Sequence, residues 1–268
     1  MVMHRFVVAI GFAVVVLFGA APATAAPARA VGVSGAVASP AEYSPADLAG
    51  ASLYDVVVKA APITPAGKNT ALRVVVQVSG RHGQSSTFAL GELDPAFGNH
   101  AATFTRARSG IRLSVPGDRN RSRDVADVRS IRVSVSDAGP QPVPPGAVRV
   151  VTVHRTTVVV PAYLPARTVR VTFQSGAGPQ THTETGPPLA AVLLAAGVLP
   201  RADLPVVAVG EDGYGAAVTL AEESVGGRPL VLSTVEDGSP LARPRLVPEG
   251  DVKGGRYVSG VVTLVVGL

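Results

Sequence analysis

The stretch with the most chemical promise in this chain is Thr181-His182-Thr183-Glu184. A histidine two residues from a carboxylate has the makings of an acid–base pair or half a metal site, and on a strand the two side chains share one face. A solvent-facing strand or loop is the more ordinary explanation of the pair, and a metal would need a third ligand from elsewhere. The other histidines, His4, His82, His100 and His154, are scattered. The sequence holds no GxSxG elbow, HExxH, phosphate-binding loop or dinucleotide fingerprint, so hydrolase, zinc-protease and nucleotide-binding chemistries have no motif behind them. Cysteine is absent from all 268 residues, which removes disulfides, iron–sulfur clusters and thiolate metal sites together.

Eight arginines lie between Arg106 and Arg132, with Asp118, Asp124 and Asp127 among them and no aromatic residues interleaved to stack on bases. They are expected to form a solvated charged face rather than a nucleic-acid footprint, with an anionic ligand or envelope polymer as the alternative. The start of the chain has the makings of an export signal: a polar His4-Arg5, an apolar run from Phe6 to Phe18, and Ala23-Thr24-Ala25 as a cleavage site. Residues 1–25 are therefore expected to be a signal peptide, leaving a secreted or cell-envelope protein. Thirteen apolar residues fall short of the roughly 20 that span a bilayer, so no membrane span is expected after cleavage. Loss of Arg5 leaves four more basic than acidic residues, a mild bias.

Asp137 to Ala147 holds four prolines and no apolar periodicity, and is expected to be a Pro-rich linker (137–147) between residues 31–136 and 148–268. The same series of signals recurs on either side. Gly80-Arg81-His82-Gly83 leads into Phe88, Leu90 and Glu92, as Gly210-Glu211-Asp212-Gly213 leads into Val218, Leu220 and Glu222, at a constant offset of 130. Arg112, Asp118 and Arg123 then match Arg245, Asp251 and Arg256 at an offset of 133. The three extra residues fall between the two blocks, where a surface loop absorbs length cheaply. Each copy opens on an i, i+3, i+4, i+7 apolar face, with Leu53, Val56, Val57 and Ala60 in one and Leu189, Val192, Leu193 and Ala196 in the other. Short β-branched segments around residues 73–78, 111–115, 131–135, 148–153, 168–173, 204–209 and 258–266 are expected to be strands. The architecture they predict is α+β, rich in β, and duplicated. The first copy is truncated, because nothing in it corresponds to Thr168 to Gly186.

The second copy, over about Val148 to Leu268, resembles the molybdopterin-binding domain of the sulfite oxidase family, and the truncated first copy resembles it in weaker form over Gly32 to Val135. The matching pieces are Val169-Arg170-Val171-Thr172-Phe173-Gln174-Ser175, Thr185-Gly186-Pro187-Pro188-Leu189, Asp212-Gly213-Tyr214, Pro229-Leu230-Val231-Leu232 with Asp237-Gly238, and Arg245 through Gly250-Asp251 to Arg256-Tyr257-Val258. The resemblance implies a sulfite-oxidase-like fold and places Ser175, Tyr214 and Arg245 at cofactor-contacting positions. In that family a cysteine at the place of Ser175 supplies the molybdenum thiolate, and a serine hydroxyl is a poor substitute because it is not readily deprotonated near neutral pH. No cofactor is therefore expected. The protein is expected to be a non-catalytic module for a small ligand or an envelope protein partner, with a molybdopterin-dependent oxidoreductase of atypical metal site as the alternative. Arg112, Asp118 and Arg123, with Asp251 and Arg256, are expected to be structural, as are Leu53 and Leu189 in the helical faces. Arginine contact with a cofactor phosphate is the functional alternative for these positions.

Overall fold

The computed structural model describes residues 30–108 and 110–267. The expected signal peptide lies outside them. In the first half the chain forms β1 (Val31–Gly35), β2 (Ala41–Tyr43), α1 (Pro45–Leu48), α2 (Leu53–Lys59), β3 (Val74–Gly80), β4 (Ser85–Ala89), α3 (Leu90–Leu93), β5 (Thr103–Ala107), β6 (Gly110–Ser114) and β7 (Val128–Val135). The second half forms β8 (Val148–Val151), β9 (Thr156–Val159), β10 (Arg167–Ser175), β11 (Gly178–Gly186), α4 (Leu189–Ala195), β12 (Pro205–Gly210), β13 (Gly215–Thr219), α5 (Ala221–Ser224), β14 (Leu230–Glu236), β15 (Ser239–Pro248) and β16 (Val261–Val266). The fold is β-rich α+β.

Each half builds a five-stranded sheet with the same plan. The first runs β2-β1-β7-β3-β4 and the second β9-β8-β16-β12-β13. In both, the first strand of the half pairs parallel to the last, β1 with β7 and β8 with β16, while the other neighbours are antiparallel. The halves differ beside the sheet. β5 and β6 form an isolated hairpin, whereas β14 and β15 are extended by β11 and β10 into a four-stranded sheet. The β10–β11 hairpin is the segment with no counterpart in the first half. Residues 138–145 contain no helix or strand, and the path between the halves is tied to both. The Arg73 guanidinium donates to Ala138 O at 2.8 Å, and Gln141 N–H donates to Thr263 Oγ1 at 3.0 Å.

The two apolar helical faces each close one core. Leu53, Val56, Val57 and Ala60 are buried with Val76, Phe88 and Ile131, and Leu189, Val192, Leu193 and Ala196 with Val206, Leu230 and Leu264. Leu53 and Leu189 are wholly buried. The helix starts are unequal. Ser52 Oγ accepts the Asp55 N–H at 3.0 Å and caps α2, while α4 begins after Pro188 with no side-chain cap. Ser52→Ala is expected to cost about 1 kcal/mol in chemical denaturation, because it strands one N–H of the first turn.

A third apolar cluster joins the halves: Val75 and Ala89 from the first sheet meet Val207, Val209 and Ala217 from the second. Along this seam the contacts are reciprocal. Arg119 N–H, in the loop after β6, donates to Val225 O beyond α5 at 3.0 Å, and Val252 N–H, in the loop after β15, donates to Phe97 O beyond α3 at 2.7 Å. Leu72 and Phe97 of the first half pack into the core of the second.

Candidate functional site

The repeated arginine, aspartate and glutamate side chains converge on the seam as two matching clusters. Arg123 donates twice to Asp118, Nε to Oδ2 at 2.8 Å and Nη2 to Oδ1 at 2.6 Å, and its Nη1 reaches Glu92 Oε1 at 2.7 Å. Arg256 repeats the arrangement with Asp251 at 2.8 and 2.6 Å and with Glu222 Oε2 at 2.8 Å. A bidentate fork plus a second carboxylate uses most of the donors of a guanidinium in one plane, which arginine supplies and lysine does not. His100 Nε2 lies 2.9 Å from Asp118 Oδ1, and Arg228 donates to Asp251 at 2.8 Å. The expectation that the eight clustered arginines form a solvated face is thus corrected for Arg123, which is buried.

The clusters meet at the seam and are not equally satisfied. Gly91 lies so close to the Arg256 stem that a Cβ there would sit 2.7 Å from Cδ. Glu222 uses both oxygens, accepting the Thr219 N–H at 3.0 Å with the second. Glu92 Oε2 has no partner among the described residues. Burial, followed by the Glu222 charge, pushes the Glu92 carboxyl up to about 7 against the pull of Arg123 and Arg256. At Asp118 burial acts upward too, but the bonds from Arg123 and His100 win and hold it below its ordinary value. Its counterpart Asp251 is more deeply enclosed and is raised, burial outweighing Arg256.

Arg256 closes the 3₁₀ turn Gly254–Arg256, and that turn is the floor of a cleft of about 790 Å³ whose walls come from both halves. The two glycines allow rings to lie directly on the backbone. Phe173 of β10 sits on Gly254, where a Cβ would lie 2.7 Å from its ring, and Phe97 of the first half sits still closer on Gly255. The Tyr214 hydroxyl donates to Gly255 O and accepts from Asn69 Nδ2 at 3.3 Å, so one tyrosine bridges the halves. Tyr257 meets Phe173 edge to face at 4.6 Å between centroids. Lys68 and Lys253 stand at the rim, exposed, with no carboxylate partner among the described residues. Asp212 shares the lining, its Oδ1 accepting the Tyr214 N–H at 2.9 Å.

The three positions implied by the family resemblance are placed as follows. Ser175 ends β10 at the hairpin tip, exposed, lining this cleft and a smaller neighbour of about 400 Å³. Its hydroxyl donates to Gly178 O at 2.9 Å and accepts the Ala177 N–H at 3.1 Å. Tyr214 lines the main cleft. Arg245 lines the smaller one, donating to Glu184 at 3.1 Å, to Glu236, and to Ser259 Oγ at 3.1 Å. Arg112, its match by offset, instead lies partly exposed, 3.7 Å from Asp124 and outside the buried clusters.

His182 and Glu184 share a face of β11, yet they do not pair. His182 Nδ1 lies 2.9 Å from Asp237 Oδ2 and 3.6 Å from Glu236, while Glu184 belongs to Arg245. The acid–base partnership expected within Thr181–Glu184 is therefore replaced by a partner 55 positions away. No group of three His, Asp or Glu side chains among the described residues is spaced to hold a metal ion. The sequence reading missed Lys68, Lys253, Asn69, Phe97 and the glycine pair of the floor. The one signal for them was rarity, since Lys59, Lys68 and Lys253 are the chain's only lysines.

No protein-family model matches the chain, and no curated protein sequence matches it either. Among solved structures, the sulfane dehydrogenase SoxCD from Paracoccus pantotrophus is similar, with a TM-score of 0.39 and 17% sequence identity over 50% of this chain and 41% of that one. The present chain thus spans less than half the length of the chain it matches.

Proposed function

We propose that the chain is an exported, non-catalytic ligand-binding module, secreted or held in the cell envelope, built on two diverged copies of a sulfite-oxidase-like frame. The observation that carries this reading is the cleft itself. It has aromatic walls, a backbone floor and polar side chains drawn from both halves, the usual make-up of a small-molecule site.

The residues at the cleft do not fit a molybdenum–pterin group. Ser175 offers a hydroxyl in place of a thiolate, and that hydroxyl is already engaged twice within its own turn. A neutral oxygen ligand of this kind lacks the soft, anionic character that the metal would draw on. Arg245 is occupied by two carboxylates, so it is not free for a cofactor phosphate. The frame and the chemistry have parted company: the ion-paired clusters hold the shape of the floor, and the donor set above it suits an organic ligand.

Metal analysis of the protein purified from its native host tests this reading. Protein without stoichiometric molybdenum and without releasable pterin is the expected result. Molybdenum at one equivalent with pterin released on denaturation would overturn it in favour of an oxidoreductase with an atypical metal site.

A further inference from the structure

We propose that the cleft at the seam binds a small organic anion with a flat, apolar body, its charge held between Lys68 of the first half and Lys253 of the second. This deepens the ligand-binding reading and rests on it.

Two ammonium groups and one carboxylate, Asp212, line the cleft, a net positive lining on a chain with few lysines. Elsewhere in the two buried clusters each arginine is matched by carboxylates at 2.6 to 2.8 Å, but the two rim lysines have no such partner among the described residues. Two unpaired, flexible cations facing one space attract an anion, with an energy that depends on salt.

The body of the ligand follows from the walls. Phe97, Phe173, Tyr214 and Tyr257 all contribute ring surface to the lining, and the two floor glycines are what let Phe173 and Phe97 lie against the backbone there. Phe173 has one side against His182, at 6.0 Å between centroids, and its edge against Tyr257, so its orientation is fixed before any ligand arrives. The wall also holds the Tyr257 hydroxyl, buried and without a partner among the described residues. Burial keeps that phenol protonated. Asn69, in a left-handed conformation with φ of 55°, turns the chain directly after Lys68 and fastens it to Tyr214. The first half's lysine is thereby anchored to the second half's wall.

Calorimetric titration of the purified full-length protein with phenyl phosphate, inorganic phosphate and benzyl alcohol tests the proposal. Phenyl phosphate is expected to bind more tightly than either of the other two. Its affinity is expected to fall about tenfold in Lys68→Ala and in Lys253→Ala, the usual loss of a charge-assisted contact, and to weaken as salt is added. Both lysines are exposed, so neither variant threatens the fold. Equal binding of phenyl phosphate by the double variant, or equal affinity for benzyl alcohol, would overturn the anion. Equal affinity for inorganic phosphate would overturn the flat body. Ser175→Trp, at the exposed hairpin tip, separates the two levels. If it blocks a neutral ligand that the lysine variants still bind, the cleft remains a ligand site and the anion alone is lost. If binding survives it unchanged, or no probe binds, the anion proposal falls and the cleft reading loses its support as well.

Discussion

Arg256→Ala is expected to lower the unfolding free energy by about 3–5 kcal/mol, measured by urea denaturation at neutral pH. The guanidinium is wholly buried and holds two carboxylates, Asp251 through two bonds and Glu222 through one. Its removal leaves two buried carboxylates without it, Glu222, which repels the charge of Glu92, and Asp251, which keeps Arg228 at 2.8 Å. The penalty is that of unpaired buried charge, not the worth of a salt bridge in isolation. A triple variant that also carries Glu222→Gln and Asp251→Asn is therefore expected to recover part of the loss. Arg256→Lys is expected to resemble Arg256→Ala more than wild type, since one ammonium cannot span the fork. A loss below about 1 kcal/mol for Arg256→Ala would show the cluster to be solvated, as surface pairs are.

Stability is also expected to fall as pH rises from about 4.5 to about 7, and then to level off. Glu92 has its carboxyl raised from 4.5 to about 7, so between these values the folded chain keeps a proton that the unfolded chain has released. Unfolding then releases the proton, and each pH unit in this window costs the folded state about 1.4 kcal/mol, on the order of 3 kcal/mol across it. Burial sets the direction, and the groups facing Glu92 modulate it. Glu222 repels its charge while Arg123 and Arg256 attract it, and His100 acts from behind Asp118. The seam brings together four carboxyls, Glu92, Asp118, Glu222 and Asp251, three guanidiniums, Arg123, Arg228 and Arg256, and the His100 ring beside Asp118. Asp118, held below its ordinary value, acts in the opposite sense, stabilising above about pH 4 and losing that contribution in more acid solution, whereas Asp251, raised by burial, acts in the same sense as Glu92. Denaturation midpoints of wild type and Glu92→Gln from pH 4.5 to 8 check this: the variant is expected to have a shallower slope, and a slope equal to that of wild type would assign the proton elsewhere.

What the sequence made legible was periodic and apolar. Leu53 to Ala60 and Leu189 to Ala196 show a 3.6-residue period on strongly hydrophobic residues, and α2 and α4 lie there with those side chains buried. Segments such as residues 204–209 show β-branched runs because both faces of β12 are buried. β11, reading GPQTHTETG, gave no such signal, since its exposed face carries threonines that pair with β10 across the ladder. β15 was obscured by Pro240, Pro244 and Pro248, which an edge strand tolerates because one side of its backbone needs no partner.

The cleft was illegible for another reason. Its residues run from Lys68 to Tyr257 with no fixed spacing, and they meet because two separate halves pack at a seam. The buried clusters were half visible. Glu92 and Glu222 sit at matching offsets, as do Arg123 and Arg256, but the charge-rich stretch by itself does not show that Arg123 will be enclosed while Arg121 stays exposed. That distinction depends on a carboxylate 31 positions away.

The reciprocal hydrogen bonds, Arg119 to Val225 and Val252 to Phe97, give the two parts the embrace of a twofold dimer, in which every side chain must appear twice. Joined in one polypeptide, the parts escape that duty. One can discard a hairpin while the other keeps it, and the protein can carry a single asymmetric recess where a symmetric pair would be obliged to carry two.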